Sequence, residues 1–181
     1  MPIPIKIEKR ELYNEKENYF YKVPEMELEF EHSLLALSKW ESKWHIPFLK
    51  KEERTREQAL SYIECMCITP NVAHEVFYAL TPAQIQEIMD YIDDPMSATT
   101  VTHREQSRGG GEIITSELIY FWMNEANIPK ECELWHLNRL FKLIEVTSVK
   151  RQPDKKMTRR QTGAQNKALN AARRAKMGSR G

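Results

Sequence analysis

Charge along this chain is partitioned rather than mixed, and that partition limits what the chain can fold into more than any other feature. Of 27 Lys and Arg residues, 11 lie in residues 149–181 beside a single one of the 26 Asp and Glu residues, so this stretch carries +10. The first 148 residues keep 16 basic against 25 acidic groups, a balance of −9, and the two blocks nearly cancel to a formal net charge of +1. A segment with +10 over 33 residues and no aromatic residue repels itself and has little to bury, so it cannot share a core with the rest. The body can: 41% of the chain is apolar, with 4 Trp, 7 Tyr and 6 Phe. The expected organisation is therefore residues 1–31 and 32–148 forming one acidic domain, and residues 149–181 forming a basic tail, disordered or helical when bound.

Two periodicities divide the body. Ile3, Ile5 and Ile7 alternate with polar or proline positions, and Met26, Leu28 and Phe30 alternate with Glu25, Glu27, Glu29 and Glu31. Period two predicts strands with one apolar face and the carboxylates in water. Tyr19 to Val23 adds a third strand after a polar turn at residues 14–18, giving a small antiparallel β-meander that must pack on the remainder of the body to be stable. After Glu31 the period becomes helical. Leu34, Leu37, Trp40 and Trp44 form one stripe before Pro47. Thr55 with Gln58 and Thr81-Pro82 with Gln84 have capping-box spacing; Leu60, Ile63, Met66 and Cys67 come after the first, and Ile85, Ile88, Met89 and Ile92 after the second. Leu118, Ile119, Trp122 and Met123 make a further helix. Cys132, Trp135, His136, Arg139, Leu140, Leu143 and Ile144 predict a strongly patterned, central last helix. The fold class expected is α+β, mainly α: a meander packed on a bundle of about five helices. Residues 95–112, with glycines at 109–111, read as an exposed, mobile loop.

Catalytic chemistry finds no foothold in this pattern. There is no Gly-x-Ser-x-Gly and no P-loop ending after the three glycines. Cys65-x-Cys67 with Cys132 and His136 supplies zinc-type ligands, but positions i and i+2 of a helix diverge, so metal binding is not expected and no cofactor is. An enzyme is not expected. No apolar run approaches the roughly 18–20 residues of a membrane span, and the opening residues lack a signal-peptide pattern. Interaction chemistry is better supplied. Trp44 and Phe48, in an aromatic-dense stretch, are candidates for a partner-binding rim. Lys150, Arg151, Lys155, Lys156, Arg159, Arg160, Lys167, Arg173, Arg174 and Lys176 are candidates for contacting an acidic surface or a polyanion, and without interleaved aromatics they suit phosphate contact rather than base stacking.

Four segments together carry a resemblance: residues 28–44 (LEFEHSLLALSKWESKW), 114–120 (ITSELIY), 131–140 (ECELWHLNRL) and 166–174 (NKALNAARR). With these the chain resembles the tail assembly chaperones of long-tailed bacteriophages over nearly its whole length. The resemblance implies a helical, non-enzymatic protein that binds long amphipathic helices of the tape-measure protein before tail-tube polymerisation, in the host cytoplasm, in a family where many members have a frameshifted longer product. Two other readings stay open at this point: a structural virion component at the head–tail junction or tail, and a nucleic-acid-binding protein acting through its basic tail. Self-association, with the acidic body as partner, is compatible with each.

Overall fold

The computed structural model describes residues 2–14, 18–50, 52–100, 113–151, 163, 166–170 and 172–174. The fold is α+β and mainly α. Four short strands, β1 (Ile3–Ile7), β2 (Arg10–Asn14), β3 (Tyr19–Val23) and β4 (Met26–Phe30), precede five helices: α1 (Leu34–Trp44), α2 (Arg56–Met66), α3 (Pro82–Asp93), α4 (Ser116–Glu125) and α5 (Leu137–Arg151). Single 3-10 turns cover His74–Ala79 and Lys130–Leu134. The chain divides into two compact units, Met1–Thr147 and Ser148–Gly181. Of residues 95–112, expected to be a mobile loop, 95–100 form neither helix nor strand and 101–112 lie outside the described residues.

The strands pair in a nested way, not in the serial order of a meander. β1 lies antiparallel to β4, with Ile5 opposite Leu28 and Ile7 opposite Met26, and β2–β3 is a separate hairpin enclosed between them. The alternation explains the choice. Pairing β1 with β4 places Ile5, Ile7, Leu28 and Phe30 on one buried face and Pro4, Lys6, Glu27 and Glu29 on the wet one. The second edge of β4 is also occupied. Ile68 N–H donates to Glu29 O at 2.9 Å and Glu31 N–H to Met66 O at 2.9 Å, so the exit from α2 covers an edge that would otherwise be open. Glu31, read as the last solvent-facing acid of β4, is instead buried. The strand ends at Phe30, and the turn into α1 swings the Glu31 carboxylate inward, where it accepts the Tyr91 hydroxyl at 2.6 Å.

Helix α1 is the central element, packing on α2, α4 and the second 3-10 turn. Its apolar stripe buries Leu34, Leu37 and Trp40 completely. Ser33 caps its start, accepting Ala36 N–H at 3.2 Å, and His45, in the left-handed region at φ 54°, ends it two residues before Pro47. Both capping boxes form, Thr55 with Gln58 and Thr81 with Gln84. The last helix differs from the expectation in extent and in place. Residues 130–134 wind as a 3-10 turn, Trp135 is extended, and α5 starts only at Leu137. The cause is tertiary: His136 pairs as an isolated bridge with Ser33, and Leu137 N–H donates to His32 O at 2.7 Å, which holds the chain extended there. Only Leu137 and Leu140 of α5 are fully buried, so the helix flanks the core.

Candidate interaction surface

The buried polar groups are committed to one another. His32 and His136, each 3% exposed, face one another with ring centroids 5.1 Å apart. The Tyr62 hydroxyl and His32 Nδ1 are hydrogen-bonded at 2.6 Å, His136 Nε2 donates to Tyr91 O at 3.0 Å, and Asn138 N–H donates to His136 Nδ1. Burial, then the neighbouring His136, pushes the His32 pKa down to about 3, and burial lowers that of His136 as well. Burial raises the pKa of the Tyr62 and Tyr91 hydroxyls, which stay protonated. Glu41 is the second buried centre: Oε1 accepts Phe48 N–H at 2.8 Å and Oε2 accepts Ser116 N–H at 2.7 Å, so one carboxylate holds a loop and the N-terminus of α4. Among the described residues, no buried side-chain N or O atom lacks a hydrogen bond. These groups fasten elements together, and His32 and Tyr62 also line an open cleft.

Above the His32–Tyr62 pair opens a cleft of about 460 Å³, bounded by Leu49 and Lys50, by Glu52 and Arg54, by α2 at Ala59, by α3 at Met89, Ile92 and Asp93, and by Asn138. Its cations are engaged. Lys50 pairs with Glu52, while the Arg54 guanidinium lies 4.0 Å from the Phe48 ring centroid and donates to the Phe48 carbonyl. Elsewhere the protein leaves large apolar rings in water. At the end of the β2–β3 hairpin, Tyr13 and Phe20 form a cross-strand pair at 4.8 Å, and Tyr19 meets Tyr21 at 5.4 Å. Tyr13, Tyr19 and Phe20 are each about half exposed or more, as is Tyr78 on the 3-10 turn against which the hairpin rests.

The residues singled out from sequence divide. Phe48, offered as a rim residue, is buried, stacked at 3.8 Å on Tyr62 and edge-on to Trp40; the Glu41 bond to its backbone draws the loop inward. Trp44 is half-buried, its Nε1–H donating to Ser61 Oγ at 3.1 Å while part of the ring stays open. Lys150 and Arg151 are exposed at the end of α5, and Lys167, Arg173 and Arg174 are helical and exposed. Lys155, Lys156, Arg159, Arg160 and Lys176 lie outside the described residues. The zinc-type residues do not converge: among the described residues no group of three His, Cys, Asp or Glu side chains is placed to hold a metal, and the three cysteines are free thiols whose pKa burial raises. Among the described residues no helix is long and apolar enough to cross a membrane. Sequence reading missed the aromatic hairpin end. Its signal is Tyr19-Phe20 immediately after a charged turn, where a side chain is too far along the hairpin to reach the core.

No protein-family model matches the chain, and neither a curated protein nor a solved structure is significantly similar to it.

Proposed function

We propose that this chain is a non-enzymatic bacteriophage morphogenesis protein, a tail assembly chaperone that binds helices of the tape-measure protein. The observation that carries the reading is the division of labour among its side chains. Buried polar groups are hydrogen-bonded, while exposed aromatic rings gather at one hairpin end and exposed cations follow a body whose own surface is acidic; aromatic rings and cations are types that dominate contact with another macromolecule. The aromatic hairpin end and the open side of Trp44 suit the apolar stripe of an amphipathic helix. The exposed cations Lys150, Lys167, Arg173 and Arg174 suit its acidic flank. The four sequence segments that resemble tail assembly chaperones point the same way.

The test is co-purification of the tagged full-length protein from infected cells, with mass spectrometry of finished particles alongside. Recovery of a long helical tape-measure chain, with the protein itself missing from particles, is the expected result. Recovery of portal or capsid subunits, or stoichiometric presence in particles, assigns it to the virion structure instead. Retention on duplex DNA with a salt slope near −0.9 per phosphate contacted would make it a nucleic-acid-binding protein.

A further inference from the structure

We propose that copies of this chain associate head to tail, the cationic segment after residue 148 of one molecule docking on the α3 side of the cleft of the next. Such association needs no phage component and so stands or falls independently of the tape-measure reading.

Four observations meet here. The two opposite charge blocks, −9 and +10, are almost equal and lie on separate stretches of one chain. Every described side chain from residue 163 to 174 is exposed, including Leu169 at 49%. Leu169 and Ala172, at i and i+3, form an apolar ridge flanked by Lys167, Arg173 and Arg174. The complementary surface is α3. It carries Glu87, Asp90 and Asp93 with Asp94 as its C-cap, and no basic residue at all. Three of these four carboxylates stand at the helix end where backbone carbonyls already concentrate negative charge, with Asp90 three residues before Asp93 and four before Asp94. Among the described residues no Lys or Arg pairs with Glu87, Asp90 or Asp93, because the cations of the cleft, Lys50 and Arg54, are held by Glu52 and by Phe48. Of these acids Asp93 lines the cleft, together with the half-buried Met89 and Ile92, which give an apolar floor for Leu169, while Glu87 and Asp90 are exposed elsewhere on α3.

A nucleic acid would satisfy the tail cations too, but it would bring phosphates against a body of charge −9, whereas a second copy brings carboxylates to the tail and cations to α3 at once. The two patches differ, so the contact is heterologous: each copy offers both, and repetition gives a ring or an open chain.

The experiment is sedimentation velocity of the purified full-length protein over a concentration series at about 0.1 M and about 1 M salt, between which the Debye length falls from about 10 to about 3 Å. At low salt the mean mass is expected to rise with concentration from 21.4 kDa to at least twice that, and at high salt to return to the monomer. Two full-length variants, both changed only at exposed positions, complete the test. One carries Lys167→Glu, Arg173→Glu and Arg174→Glu, the other Glu87→Lys, Asp90→Lys and Asp93→Lys. With native circular dichroism, each alone is expected to stay monomeric at low salt, and an equimolar mixture to form heteromeric complexes. A wild type that stays monomeric at every concentration, association that survives in both variants, a mixture that does not associate, or association seen only on adding duplex DNA each overturns the proposal.

Discussion

Glu41 shows how one side chain organises this fold. It lies among the half-buried and buried residues of α1, where a carboxylate is costly to desolvate, and its two oxygens are nevertheless both used, on Phe48 N–H and Ser116 N–H. Glu41→Gln keeps the shape but turns an amide NH₂ toward one of those donors, so it is expected to cost about 2–3 kcal/mol, read as a lower urea midpoint with unchanged m-value. The histidine pair makes a second residue-scale prediction. The His32 pKa lies at about 3 in the folded protein and near 6.5 unfolded, so the unfolded chain binds the extra proton between those values and stability falls as pH drops. Full stability is present above about pH 6.5, and His32 alone accounts for a loss of about 3 kcal/mol on reaching about pH 4. His136 adds to it in the same direction. Unfolding midpoints measured from pH 7 downward should drop along this curve, and His32→Gln should flatten it. A midpoint that is flat in the wild type would contradict the buried neutral pair. Neither role was legible in sequence: Glu41 reads as one polar position of a helix, and His32 as the first residue of the helical body.

At the scale of elements the sequence speaks more clearly where the determinants are local. The capping box at Thr81 and Gln84 combines with Pro82 at the first helical position, all within four residues, and it forms as spacing predicts. Thr81→Ala is expected to destabilise the protein by about 1 kcal/mol in denaturant unfolding. The start of α5 was not readable for the opposite reason. The spacing of Cys132, Trp135 and His136 matches a helix, but a backbone bridge to Ser33, more than a hundred residues earlier, holds that stretch extended. The hairpin β2–β3 lies between these cases. Its β3 is patterned, β2 is not, and only the pairing of β1 with β4 leaves the aromatic end projecting. Replacing Tyr13 and Phe20 by Ser is expected to change stability by less than about 0.5 kcal/mol per site and, on the proposed function, to lower recovery of a tape-measure chain several-fold in co-purification.

For the whole molecule the separated charges matter more than their sum. Opposite blocks on one chain attract between molecules most strongly when the net charge is small, and the sequence pI is about 7.7. Solubility at low ionic strength is therefore expected to pass through a minimum near that pH, read as turbidity, and to recover with added salt. The partition of the chain into an acidic body and a basic extension, the mainly helical class and the two boxed helix starts were determined by the amino-acid sequence alone, because charge, periodicity and capping act over a few residues and need no partner. Tertiary structure alone decided that β1 seeks β4, that Phe48 turns inward, that Glu31 and the two histidines are buried, and that Asp93 of α3 lines an open cleft. Each of those outcomes depends on which distant surfaces meet, and burial, unlike periodicity, exists only once they have.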